Sequence, residues 1–187
     1  MWIQSAYDVE KPKGVVLTSA NQASDDDSSS VTPQVVRWVG LLVFALALLL
    51  RAGICVNGMS RFTEDPDAYR AIAETIGNTG VYGLTGESGT TIATAYRPPL
   101  YPWVLSWLLD DGQLTNQAVA MLHALLGAIA AWFTFLAAVS MFDVRGQGSV
   151  PVSRRRLVGA ATAAILVAVD PILLRQSTLL MTETMAA

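Results

Sequence analysis

The sequence predicts an all-α protein of polytopic transmembrane helices, with a large extracytoplasmic first loop that contains juxtamembrane helices. Three observations carry this reading. The chain is 52% hydrophobic and only 14% charged over 187 residues, where soluble domains hold about 25% charge. The apolar residues gather in three stretches, each approaching the ~20 residues that a bilayer-crossing helix needs. Charge is segregated as well: Arg145, Arg154, Arg155 and Arg156 crowd one connection, while acids dominate the other.

The elements follow in order. Residues 1–37 are polar and include Asp25-Asp26-Asp27-Ser28-Ser29-Ser30, which predicts a disordered tail unable to bury enough apolar surface to fold. The first span covers about 38–56 and is interrupted by Arg51, whose long side chain is expected to snorkel to the outer interface. A cleaved signal peptide would start nearer the terminus behind a short basic region, so this span reads as an uncleaved anchor. The second span covers about 118–142 and carries His123 without any formal charge. The third covers about 157–174, with Asp170 near its end.

Short-loop Lys and Arg mark the cytoplasmic side. The four-arginine connection is therefore inside, as is the tail with Lys11, Lys13 and Arg37, and the loop 57–117 is outside. The expected location is the cytoplasmic (inner) membrane, multi-pass, N-terminus inside. The stretch from Asp170 to Glu183 then returns to the same outer side as the large loop.

Within that loop, Asp67 to Thr79 reads as a helix. Tyr69, Ile72, Ala73 and Ile76 form one apolar face at helical spacing, expected to lie on the bilayer surface. Asn78-Thr79-Gly80 reads as its stop. Gly83 to Gly89 is a glycine-rich turn without the Gly-Lys-Ser/Thr ending of a nucleotide loop. A second amphipathic helix is expected from Pro102, since proline suits a first helical turn. Trp103, Leu105, Trp107 and Leu108 read as its interfacial anchors.

Several functions are disfavoured. The net charge of −3 supplies no basic footprint for nucleic acid. Cys55 is the one cysteine, so neither an internal disulfide nor a thiolate metal cluster can form. His123 has no second histidine or cysteine at ligand spacing for zinc; it reads as a neutral histidine bonded to a neighbouring helix.

Candidate chemistry rests on a few outer residues. Asp65-Pro66 has the pattern of a helix cap followed by proline. A carboxylate held there can also accept a proton from an acceptor hydroxyl. Asp67 suits the positive end of the helix dipole. Arg97 precedes Pro98-Pro99, which stiffen the backbone and aim the side chain. It reads either as a forked phosphate ligand or as a membrane anchor. Tyr69 and Tyr101 are substrate-binding candidates beside them. Asp170-Pro171 repeats the cap pattern. Glu183 reads as first-turn helix charge, a second acid or a metal ligand. A divalent metal ion is left open, because the outer carboxylates do not define a ligand set.

At these residues the chain resembles the membrane-embedded glycosyltransferases of the GT-C fold, in the protein mannosyltransferase, aminoarabinose-transferase and Rgt-like group. The similarity rests on Asp65, Tyr69, Ala73, Gly80 and Tyr82, on Arg97-Pro98-Pro99-Leu100-Tyr101-Pro102, and on Pro171 with Thr182-Glu183, and it runs from about Leu41 to Ala187. It implies a sugar donor on a polyprenyl phosphate, Asp65 as catalytic base, Arg97 holding the donor phosphate and Glu183 as an accessory acid. Asp65 is followed by Pro66 where the family pattern has a second acid. Residues 38–187 then form the N-terminal part of a larger transmembrane domain, inactive alone unless a partner chain supplies further spans. The rival expectation is a non-catalytic membrane scaffold or transporter subunit, in which Asp65 is only a cap and Arg97 only an anchor.

Overall fold

The computed structural model describes residues 30–95, 97–141 and 152–180, and 69% of them are helical. In chain order the elements are β1 (Ser30–Val31), α1 (Pro33–Asn57), a 3-10 turn (Met59–Thr63), α2 (Tyr69–Thr79), β2 (Gly83–Thr85), β3 (Thr91–Ala93), α3 (Leu100–Ser106), β4 (Leu109–Asp110), β5 (Gln113–Leu114), α4 (Asn116–Met141), β6 (Val152–Ser153), α5 (Arg154–Val169) and α6 (Pro171–Gln176). The strands are accessory: β1 pairs with β6, β2 with β3 and β4 with β5, all antiparallel.

Two helices, α1 with 25 residues and α4 with 26, are long and apolar enough to cross a membrane. Pro33 opens α1, where its missing N–H costs nothing. The third apolar stretch is divided. Ser153 caps α5, its Oγ accepting from the Arg156 amide at 3.4 Å, and α5 ends after 16 residues. Asp170 then caps α6, Oδ1 accepting from the Ile172 and Leu173 amides at 2.9 Å each. At 1.5 Å per residue α5 is about 24 Å long, short of the ~30 Å hydrocarbon thickness.

These helices form a bundle. The β1–β6 ladder holds the starts of α1 and α5 together, so the two run alongside each other and α4 runs the opposite way. Their contacts are built from small residues. Ala47, Ala128, Ala131 and Ala168 form one buried cluster. Ala160 and Ala164 pack with Val43, Phe135 and Leu157 in another. Small side chains let helix backbones approach closely, the solution used where lipid supplies no hydrophobic drive between helices.

Arg51 departs from the snorkelling expectation. It is 2% exposed and turns into the bundle. One guanidinium nitrogen donates to the Ser177 hydroxyl at 2.8 Å and to the Leu173 carbonyl at 3.4 Å. The other donates to the Val167 carbonyl at 3.3 Å. The reason lies in Pro171. A helix would satisfy the Val167 carbonyl with the amide four residues on, but proline has none. Arg51 supplies that donor from another helix. Gly127 makes room: a β-carbon there would overlap the guanidinium.

The chain between α1 and α4 forms a second module. Phe62, Tyr69, Ala73, Tyr101, Leu105 and Leu114 pack into one core with Cys55, Val119, Ala120 and Leu180. Helix α2 begins two residues later than predicted, because Ala68 adopts a left-handed conformation (φ 59°) that no helix continues through. It stops where predicted: Gly80 takes φ 72° and its amide bonds to the Ile76 carbonyl at 2.8 Å. The apolar face of α2 was expected on the bilayer. Tyr69, Ile72 and Ala73 are instead buried within the module, because α3 folds over them. The glycine-rich turn is the β2–β3 hairpin. Helix α3 starts at Leu100, ahead of Pro102.

Candidate functional site

The candidate residues of the loop converge around the start of α2. Asp65, Pro66, Asp67 and Ala68 form a tight turn closed by the Ala68 amide on the Asp65 carbonyl at 3.1 Å. Proline presets the second position of such a turn. Asp65 is therefore not the capping residue itself, which is Ala68. Its carboxylate still does the capping work from three residues upstream: Oδ2 accepts from the Ala71 amide at 3.2 Å. The other oxygen, Oδ1, is buried and has no hydrogen-bond partner among the described residues. A buried oxygen of an ionisable group without a donor is costly; in this module Arg70 Nε is the other such atom among the described residues.

Arg97 closes over the turn. Its guanidinium forms an ion pair with the Asp67 carboxylate, and its Nε donates to the Asp67 carbonyl at 3.2 Å. The guanidinium carbon sits 5.8 Å from the centre of the Tyr69 ring, within cation–π range. The Tyr82 hydroxyl donates to the Arg97 carbonyl at 2.6 Å. Burial, and secondarily Tyr69, push the Tyr82 hydroxyl above its ordinary pKa. It stays a donor at neutral pH.

Below Tyr69 the contacts run into the bundle. Tyr69 and Tyr101 meet edge to face, ring centres 5.1 Å apart. The Tyr101 hydroxyl lies 2.6 Å from His123 Nε2, and His123 Nδ1 lies 2.9 Å from the Ser177 carbonyl. A carbonyl only accepts, so Nδ1 carries the proton and Nε2 accepts from Tyr101. His123 is thus a neutral histidine bonded to neighbouring elements, as its sequence setting implied. Tyr101 is pushed well above the usual tyrosine range, first by burial, then by the Asp65 carboxylate and Tyr69, with Arg70 opposing.

Five predicted site residues therefore come together: Asp65, Asp67, Tyr69, Arg97 and Tyr101. Their roles differ. Tyr69 and Tyr101 are 2% and 1% exposed and support the site from beneath. Asp65, Asp67 and Arg97 are partly exposed and face the surface. Beside them a cleft of about 450 Å³ is lined by Ile76, Gly80, Tyr82, Pro99, Leu100 and Trp103. Glu183 and Thr182 lie outside the described residues.

Arg70 and Glu74 were not singled out from sequence. At four-residue spacing on a helix they read as an ordinary surface pair. In the fold they grip strand β5 from both sides. Arg70 donates to the Leu114 carbonyl, to the Phe62 carbonyl at 2.7 Å and to Asn116 Oδ1 at 2.6 Å. Glu74 accepts from the Leu114 amide at 3.0 Å. Nothing local in the sequence signals that β5 passes there.

Among the described residues no three His, Cys, Asp or Glu side chains converge, and Asp67 is already paired with Arg97. No known protein family, characterised protein or solved structure matches the chain.

Proposed function

We propose that this chain is the N-terminal part of a polytopic membrane glycosyltransferase of the GT-C type, and that Asp65 is its catalytic base. In this reading the loop module lies on the outer face of the cytoplasmic membrane, and α5 with α6 completes a third crossing. The donor is a sugar carried on a polyprenyl phosphate. The observation that carries the proposal is the Asp65 carboxylate, one oxygen fixed by the Ala71 amide and the other without a partner among the described residues. Such a group is oriented and has one oxygen to offer. Once the turn opens to uncover it, Asp65 Oδ1 takes the proton of the acceptor hydroxyl. The acceptor oxygen bonds to the anomeric carbon from the side opposite the phosphate. The bond from that carbon to the phosphate oxygen breaks, and polyprenyl phosphate leaves with its charge facing Arg97. The guanidinium exchanges part of its Asp67 contact for phosphate, a ligand its fork fits equally well.

The second reading is a membrane scaffold or transporter subunit, favoured by the Arg97–Asp67 ion pair and the Asp65 cap, which both hold the loop together without chemistry. Asp65→Asn separates the two. Asparagine keeps an oxygen for the Ala71 amide but cannot take a proton. With the protein at native length in its own membranes, the catalytic reading expects normal protein levels and sugar transfer reduced by about a hundredfold or more, the usual scale of losing a general base. Transfer that persists in Asp65→Asn removes Asp65 from the mechanism.

A further inference from the structure

The arginines of α1 and α5 gather at the end of the bundle away from the loop module. The β1–β6 ladder pairs Ser30 with Ser153. It sets Arg37, one turn into α1, at the same end as Arg154, Arg155 and Arg156, the first turn of α5. Helices α1, α4 and α5 contain no Asp or Glu to balance them. Arg37 is exposed and makes no hydrogen bond or ion pair among the described residues. It is also the charged residue of a groove of about 280 Å³ between α1 and α4, where Gly40, Leu41, Trp132 and Leu136 are among the lining residues.

Gly40 opens this groove. A β-carbon there would come within 3.0 Å of the Phe135 ring and 3.4 Å of Trp132 Nε1. The Trp132 indole N–H has no acceptor among the described residues, although an indole in apolar surroundings usually finds one. Along α1 the groove therefore presents a cation at Arg37, a donor N–H beside Gly40, and then the apolar wall of Leu41. Gly40 lies three residues beyond Arg37, about 4.5 Å further along the helix. That is the order of groups in a glycerophospholipid, whose ester carbonyls lie just inside the phosphate and whose acyl chains follow. The volume points the same way. It falls below the ~300–1,000 Å³ of pockets that enclose a soluble ligand, but a chain can lie along it. A second copy of the protein in the same orientation would bring its own arginines to this end, like charge against like.

We propose that this groove binds an anionic glycerophospholipid, with its phosphate on Arg37, an ester carbonyl on the Trp132 N–H and one acyl chain against Leu41. The inference rests on the membrane reading of α1 and α4 and is independent of Asp65. The guanidinium fork of Arg37 matches phosphate oxygens. Arg154 and Arg155, also exposed, raise the positive potential at this end. A headgroup with net negative charge is thereby favoured over a zwitterionic one. In the proposed orientation this end is the cytoplasmic one, so the lipid comes from the inner leaflet, across the bilayer from the loop module.

The test uses the full chain in phosphatidylcholine vesicles that carry a small, matched fraction of either brominated phosphatidylglycerol or brominated phosphatidylcholine. Of the five tryptophans, all but Trp132 are replaced by Phe in one variant, and all but Trp38, exposed on α1, in another. Bromine quenches indoles that it touches. Trp132 is expected to be quenched about fivefold more effectively by the anionic lipid, the usual effect of one arginine at an anionic headgroup. Arg37→Gln should remove most of that preference and Arg37→Lys should keep most of it. Equal quenching of Trp132 by the two lipids overturns the proposal and leaves the spans standing. So does a preference that survives Arg37→Gln and falls with Arg155→Gln, which marks diffuse attraction to the basic end. Trp38 quenched while Trp132 stays silent also overturns it, the groove then being covered by protein. Neither tryptophan responding overturns the membrane reading itself. Should a tryptophan variant fail to fold, mass spectrometry of the intact wild type with added phosphatidylglycerol reads the same site. One lipid retained by wild type and lost in Arg37→Gln supports the proposal; none retained overturns it.

Discussion

The bundle and the loop module are built on opposite principles. The bundle buries its smallest residues, Ala47, Ala128, Ala131, Ala160, Ala164 and Ala168, and turns Leu41, Leu42, Leu46, Leu49 and Phe133 outward. The loop module buries large residues, Phe62, Tyr69, Tyr101 and Leu105, and ties Arg70 and Glu74 to backbone. On the membrane reading of α1 and α4, the difference follows from the solvent around each region. Where surroundings are apolar, burying a leucine gains little, and close backbone approach and hydrogen bonds hold helices together. Where surroundings are water, each large side chain removed from it contributes in proportion to area.

The largest effect that tests this contrast is a pair of reciprocal substitutions. Leu105→Ala empties the loop core and is expected to cost about 3 kcal/mol, on the usual scale of a buried leucine. Ala128→Leu forces a large residue into the helix contact and is expected to cost about 2 kcal/mol. Unfolding in detergent read at α2 amides by hydrogen exchange should show the first loss and not the second. A tolerated Ala128→Leu would mean that the bundle is not packed backbone to backbone.

A middle-sized effect sits where the two regions meet. Tyr101→Phe leaves His123 Nε2 without its donor and is expected to lower stability by about 1–2 kcal/mol near neutral pH. The sign with pH is defined. The folded-state pKa of Tyr101 is raised above its ordinary value of 10.0, so its contribution is complete below that value and declines as pH rises past it. Wild type and Tyr101→Phe should therefore converge in stability under alkaline conditions. A difference that stays constant across that range would mean that burial does not hold the Tyr101 hydroxyl in its neutral form.

The smallest effect is a coupling. Arg51→Met removes the donor to the Val167 carbonyl, and Pro171→Ala restores an amide able to reach it. The double variant should recover about 1 kcal/mol of what Arg51→Met loses. Simple additivity would mean that Arg51 is there for the Ser177 hydroxyl and the Leu173 carbonyl.

How far the sequence could be read follows from the range of each interaction. Apolar runs as helices, the stop at Gly80 and the cap at Asp170 were all legible, because each is decided by neighbouring residues. The break of the third stretch after α5 was legible only as a cap and proline; that it leaves a shorter helix was not. The convergence of Asp65, Asp67 and Arg97 was legible as a motif, though their pairing was not. Trp103, Leu105, Trp107 and Leu108 all read as anchors, since all are apolar. Only packing of α3 over α2 divides them. Arg51 was read wrongly because its partners are 116–126 residues away, and a lone charge in an apolar run has only the interface as a local solution.

That distance has a consequence for how the protein is made. Synthesis proceeds from the N-terminus, so Arg51 emerges long before Val167, Leu173 and Ser177 exist to receive its hydrogen bonds. During that interval α1 is an apolar helix carrying a cation without its folded-state partners. Its final packing is decided by residues not yet translated, which makes the arrival of α5 and α6 the event that commits the first helix to its place.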